Sequence, residues 1–301
     1  MVTDLSDDPN PTAEKTRSKR DILVAFGRRL IDDDCSGMAS ETAYSFILSF
    51  FPLLLLAATS ASFFGHGRST VETVSASLRG FMPAESHALI ETYVGSIFAT
   101  GPHSGLFSVS LAILLWTGSS LMATLIKSLN RIYRMAPASL RPWWKERAIS
   151  IVLVPVVFIP VIIACTFAIL GSRLAGILDQ YLGIGIVTSH FWGLTKWFLF
   201  ILVVAIITGV IYYVGPARRQ HIKRVIPGAI LSSGLWGIVT FGFNYYVDKF
   251  GSYNKVYGSI GAFIVLLLWM YLTSFAFIIG GELNAELEQI PPAPKPPTNI
   301  K

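Results

Sequence analysis

Six runs of mostly apolar residues, at approximately 42–64, 105–126, 148–171, 192–214, 226–247 and 258–281, alternate with polar connectors, and each reaches the roughly 20 residues a helix needs to cross hydrocarbon. A helix closes its backbone hydrogen bonds within itself, so the pattern predicts an all-α polytopic membrane protein with six transmembrane helices. Ahead of the first run, Ile22, Phe26 and Leu30 recur at helical spacing beside Arg28 and Arg29. That reads as an N-terminal amphipathic helix, either interfacial or packed under the bundle. The long connector at about 66–104 carries two further faces, Val71, Val74 and Leu78, then Leu89, Tyr93 and Ile97 after Pro83, which predicts an outer amphipathic helical cap. The expected organisation is a disordered tail over about 1–20, one transmembrane domain over about 21–290 and an extended Pro-rich tail over about 291–301.

Composition agrees with immersion in lipid. Only 14% of the residues are charged and the mean hydropathy is +0.57, whereas a soluble domain carries about 25% charge. The basic residues then fix an orientation. They concentrate before the first run (Lys15, Arg17, Lys19, Arg20, Arg28, Arg29), between the second and third (Lys127, Arg131, Arg134, Arg141, Lys145, Arg147) and between the fourth and fifth (Arg218, Arg219, Lys223, Arg224). By the positive-inside bias these sides are cytoplasmic, as are both termini. The net charge of +6 is thereby assigned to anionic lipid headgroups at the cytoplasmic face and not to nucleic acid. The first residues lack the apolar core of a cleaved signal peptide.

Catalytic signatures are missing from the pattern. Cys35 and Cys165 are too separated along the threading for a disulfide or thiolate metal site, and the histidines lack ligand spacing. No phosphate-binding loop or nucleophile elbow occurs. The acidic run Asp32, Asp33 and Asp34 cannot converge on one ion from a helix, where neighbours point about 100° apart, so it reads as a solvated turn or capping run. The chain is expected to be no enzyme and to hold no cofactor or metal.

Small residues and prolines describe the packing. Ala57, Ala61 and Gly65 recur every fourth residue, as do Ala229, Ser233 and Gly237, giving faces on which helices close. Pro52, Pro155 and Pro160 predict kinks. Polar residues in or beside the spans are costly in lipid and mark function. Lys127, Asn130, Arg131 and Arg134 follow i, i+3, i+4, i+7 spacing as one polar face, and Glu41 and Glu282 reach the same depth. Glu41, Lys127, Asn130, Arg131 and Glu282 therefore form a candidate inner gate, in which Glu41 or Glu282 is expected to pair with Arg131. Asn244 and Asp248 share a face, and Tyr253, Asn254 and Tyr257 follow in a short connector, giving a candidate outer gate.

The run GSIGAFIVLLLWMYLTSFAFIIGGELNAEL from Gly258 to Leu287, with YNKVYG before it, resembles the last-helix signature of the YihY/virulence factor BrkB family of bacterial inner-membrane proteins. AYSFILSFFPLLLL from Ala43 and LLWTGSSLMATLIKSLNRIYR from Leu114 agree in the expected order. The resemblance implies a six-helix protein of the bacterial cytoplasmic membrane, with no settled activity to carry over. An old ribonuclease label for that family finds no clustered carboxylates or histidines here to hold catalytic ions. The expected role is transporter-like, moving or exchanging a small polar or amphipathic molecule or a lipid. The alternative is a non-transporting scaffold or envelope-assembly factor associated with virulence. Lipids and a small-molecule or lipid substrate are the expected partners, with a second copy of the chain as a further candidate.

Overall fold

The computed structural model describes residues 19–63, 104–182, 185–250 and 253–288, and every regular element among them is helical. Seven α-helices follow in order: α1 (Lys19–Asp32), α2 (Cys35–Phe63), α3 (Ser104–Ile132), α4 (Trp143–Leu182), α5 (Gly185–Val214), α6 (Ile222–Phe250) and α7 (Tyr253–Leu287). A 3-10 turn, Pro137–Ser139, lies between α3 and α4. Among the described residues, six segments are long and apolar enough to span a bilayer: Cys35–Leu56, Gly105–Ile132, Trp143–Ala164, Trp192–Val214, Ile222–Tyr246 and Phe263–Leu287. The expected outer cap over 66–104 lies outside the described residues.

Each spanning helix packs on its neighbours in sequence, and α7 returns to α2, so α2 to α7 close a ring. Helix α7 also touches α3, and α1 lies against α7 and α2. At one end of the ring Ile126, Leu129 and Ile132 of α3, Tyr212 of α5 and Ile278 of α7 are fully buried together. Farther along, Ile47 and Phe50 of α2 meet Phe243 of α6 and Leu266, Trp269 and Met270 of α7. The outward faces keep large apolar side chains such as Ile113, Ile162, Phe198, Ile230 and Phe241, as a lipid-facing surface requires.

Close backbone approach, more than apolar burial, holds helices together in lipid. The expected small-residue face of α6 meets α5: a Cβ at Gly209 would lie 3.7 Å from Ala229, and one at Gly237 3.6 Å from Ile201. The tightest contact falls elsewhere, between Gly228 of α6 and Gly280 of α7. A Cβ on Gly280 would sit 2.5 Å from the Gly228 carbonyl oxygen, and a Cβ on Gly228 would strike the Gly280 carbonyl. Pro52, Pro155, Pro160 and Pro227 all lie within continuous helices. Beside Pro227, Asn284 of α7 bonds the α6 backbone: the Gly228 amide donates to Asn284 Oδ1 at 2.7 Å, and Asn284 Nδ2 donates to the Val225 carbonyl at 3.2 Å. A buried side-chain amide thus joins α7 to the opening turns of α6.

Candidate functional site

Two corners of the backbone build a layer of buried charge at the end of the ring that holds the α1–α2 corner and the C-termini of α3, α5 and α7. The first joins α1 to α2. Asp34 has φ 53°, the left-handed region, and its carboxylate accepts the Gly37 amide at 3.1 Å while its carbonyl accepts the Met38 amide. One residue therefore ends α1 and caps α2. The second corner ends α3. Arg134 has φ 51°, its amide donates to the Arg131 carbonyl at 3.0 Å, and the Met135 amide donates to the Asn130 carbonyl at 2.9 Å. This is a Schellman closure with arginine where glycine is usual. A non-glycine residue held left-handed costs about 1 kcal/mol or more, so something must hold each in place.

The holding contact joins the two corners. Arg134 Nη2 donates to both carboxylate oxygens of Asp33, at 2.8 and 2.7 Å, with both side chains largely buried. Arg131 Nη2 stands 3.8 Å from Asp34 in an exposed pair. Deeper in the layer, Glu282 of α7 is completely buried. Cys35 Sγ donates to its Oε1 at 3.7 Å, and Arg29 Nη1 lies 4.0 Å from Oε2. Arg29, itself 3% exposed, also places Nε 3.6 Å from Glu286. Beside them Arg218 pairs with Glu288 at 2.9 Å and stands over the Tyr133 ring at 5.9 Å. Burial first, and then the Glu288 carboxylate, raise the Tyr133 phenol above its ordinary pKa.

Neutral contacts finish the layer. Asn130 Oδ1 accepts the Ala217 amide at 2.8 Å, tying α3 to the α5–α6 connector. The Arg141 guanidinium donates to the carbonyls of Val214, Gly215 and Pro216 at 2.6–3.0 Å and so closes the C-terminus of α5. Replacing Arg141 with glutamine strips those carbonyls of charged donors and is expected to cost about 2 kcal/mol, read as a lower unfolding midpoint in detergent. An unchanged midpoint would show that water serves them equally well.

The sequence-derived inner gate is only partly assembled as expected. Arg131 pairs with neither Glu41 nor Glu282. Glu41 takes Lys127 at 2.7 Å in an exposed pair, and Glu282 instead faces Arg29 of α1 at 4.0 Å. The polar face from Lys127 to Arg134 is not continuous, because Arg134 lies beyond the end of α3 and its left-handed backbone swings it toward Asp33. Arg29, Asp33, Cys35 and Glu286 escaped the sequence reading. Asp33 looked solvated, and Cys35 looked uninformative. The one available signal was the four-residue spacing of Arg29 and Asp33, which does place both on the inner face of α1 and its exit.

The outer candidates are more dispersed. Asn244 is half-buried on α6. The connector expected around Tyr253, Asn254 and Tyr257 is a correction: α6 runs to Phe250 and α7 already begins at Tyr253, because polar residues continue a helix where neither Gly nor Pro interrupts Tyr253 to Tyr257. The side chains of Asp248, Tyr253, Asn254 and Tyr257 lie outside the described residues. A contact that no sequence pattern announced, Trp269 Nε1 donating to Thr240 Oγ1 at 3.3 Å, joins α7 to α6 in the apolar interior.

Comparison with known proteins identifies the family. The chain is 29% identical over 251 residues to a protein of Bacillus subtilis (strain 168) named as ribonuclease-like, YfkH, covering 83% of this chain and 89% of that one. It is 26% identical over 275 residues to a UPF0761 membrane protein of Aliivibrio fischeri (strain ATCC 700601 / ES114), covering 91% and 85%. A UPF0761 membrane protein of Tolumonas auensis (strain DSM 9187 / NBRC 110442 / TA 4) is 27% identical over 275 residues, covering 90% and 86%. No solved structure matches. The family model described as virulence factor BrkB matches residues 26–299, and the chain, an integral membrane protein with six candidate spans, belongs to that family.

Proposed function

We propose that the protein moves or exchanges a small polar or amphipathic molecule, or a lipid, across the bacterial inner membrane, with both termini in the cytoplasm and the charged layer as its closed inner gate. One observation carries the reading: Glu282 is wholly buried within a membrane span and shares a layer with Arg29, Asp33 and Arg134, none of which is needed merely to fill space. Ionisable groups inside a span are expensive, and they recur where a pathway must open and close. The pairs in this layer link α1, α2, α3 and α7, so a displacement of α1 would unseal it. The basic connectors beside the layer support a cytoplasmic placement for it by the positive-inside bias.

Proteoliposomes test the proposal. The full chain is reconstituted with a fluorescent phospholipid, whose leaflet exchange is read by dithionite quenching, and separately with an entrapped, isotopically labelled extract of bacterial metabolites. Flux above empty liposomes is expected for at least one class, altered in Asp33→Asn. Folded protein that moves neither class would favour the scaffold, in which the same ion pairs are a permanent clamp.

A further inference from the structure

Glu282 is completely buried and lies within a membrane span, yet its carboxyl is poorly bonded. Its Oε2 has no hydrogen-bond partner, and its Oε1 is met at 3.7 Å by the Cys35 thiol, a weak donor. The Arg29 guanidinium stands 4.0 Å from Oε2, outside hydrogen-bond reach, and places its Nε closer to Glu286, at 3.6 Å. Arg134 gives its Nη2 to both oxygens of Asp33. Other carboxylates at this end of the ring are served better: Asp33, Asp34 and Glu41 accept N–H donors at 2.7–3.1 Å.

The charged and titratable groups that face Glu282 come from several elements. Helix α1 brings Arg29, the α1–α2 corner Asp33, α2 Cys35, the end of α3 Tyr133 and Arg134, and α7 itself Glu286 one turn on. Helix α6 meets α7 beside it through the backbone of Val225 and Gly228, bonded to Asn284. Of the two guanidiniums, one is bonded to Asp33 and the other is shared with Glu286. An ionised Glu282 would therefore exchange its hydration for one weak hydrogen bond and a share in one cation. A buried carboxyl escapes that penalty by keeping its proton.

We propose that Glu282 is a proton-binding site, protonated while the charged layer is closed and giving its proton to entering water when the layer opens. The inference takes from the proposed function only that the layer opens, by displacement of α1. A proton is then the coupling ion of the exchange. The sign follows from linkage: the closed layer holds the proton more tightly than the open one, so low pH favours closure. As pH rises the closed form loses ground, by about tenfold per pH unit at most, the slope of a single proton.

Infrared spectroscopy of the full chain in lipid vesicles tests the site without any need for transport. At neutral pH the wild type is expected to show the carbonyl stretch of a protonated carboxyl, displaced when the glutamates carry carbon-13. That band should be absent from Glu282→Gln and kept in Glu286→Gln. If Glu282→Gln does not fold, Glu282→Asp carries the test, since it keeps a carboxyl but removes the labelled one. Hydrogen exchange reads the opening through the buried corner amides of Asp33 and Met38, which donate to the carbonyls of Arg29 and Asp34. After correction for intrinsic rates, their protection should fall with rising pH in the wild type and stay level in Glu282→Gln or, in its place, change its pH course in Glu282→Asp. A wild type without a labelled band, a band that survives at position 282 variants, or identical pH courses in wild type and variant would overturn the proposal. Vesicles that show both signals but no flux of either class would sink the transport reading alone and leave the proton site standing.

Discussion

Asp33→Asn is expected to remove about 3–4 kcal/mol of unfolding free energy, measured by thermal or denaturant unfolding in detergent. Asparagine keeps the size of the side chain but leaves Arg134 largely buried without its counter-charge, and the desolvation of that guanidinium is no longer offset. A second cost adds to the first. Arg134 stays at φ 51°, a backbone conformation that its bond to Asp33 had helped to hold. The double variant Asp33→Asn, Arg134→Gly should therefore be more stable than Asp33→Asn alone, by about 1 kcal/mol or more, because glycine adopts the left-handed corner freely and no unpaired charge is left behind. Should the double variant be the weaker of the two, the ion pair would not be what holds the corner, and the layer would lose its structural rationale.

Gly280→Ala is expected to cost about 3 kcal/mol, the upper end of overpacking penalties, with loss of the monodisperse species on size-exclusion chromatography. The added methyl would lie 2.5 Å from the Gly228 carbonyl oxygen and from Tyr212 Oη, and 2.8 Å from Ser232 Cβ. Neither backbone nor phenol can step aside easily, since Tyr212 Oη donates to the Phe277 carbonyl at 2.5 Å within a fully buried contact. The neighbouring Gly281 is the control. Its nearest obstacles are the ends of Leu129 and Ile132 at 3.1 and 3.3 Å, which can shift by a few tenths of an ångström, so Gly281→Ala should cost less than about 1.5 kcal/mol. Equal penalties at the two positions would mean that α6 and α7 do not cross where the glycines place them.

The spans were legible because lipid demands one thing of a helix, a long apolar surface, and six runs met that demand within several residues of their ends. Their boundaries were less so. Helix α2 begins at Cys35, ahead of the first apolar run, because Asp34 caps it and its opening polar residues find partners on neighbouring helices, Ser36 with Tyr271 of α7 and Glu41 with Lys127 of α3. Helix α7 likewise continues through Glu282, Asn284 and Glu286, which hydropathy alone would have ended sooner; each is buried against charged or amide partners on α1 and α6. The same blindness affected the site. Glu282, Lys127 and Asn130 announced themselves as polar groups at helix ends, but pairing is decided in three dimensions, and α1 brought in Arg29 and Asp33 from a segment with no membrane-spanning signal. The Gly228–Gly280 crossing was hidden for a related reason: the every-fourth-residue rule finds faces along one helix, not the single point at which two backbones touch.

The proposed function rests on the charged layer sealing the end of the bundle assigned to the cytoplasm, and Cys35 reports on that seal directly. Its thiol is fully buried against Glu282. In a Cys165→Ser background, the rate at which a membrane-impermeant maleimide labels Cys35 is measured in inside-out and right-side-out vesicles, with and without Asp33→Asn. The account predicts slow labelling in the otherwise native protein, and a strong acceleration on breaking the Asp33–Arg134 pair that occurs in inside-out vesicles alone. Labelling from the right-side-out face, or a rate indifferent to Asp33, would contradict it.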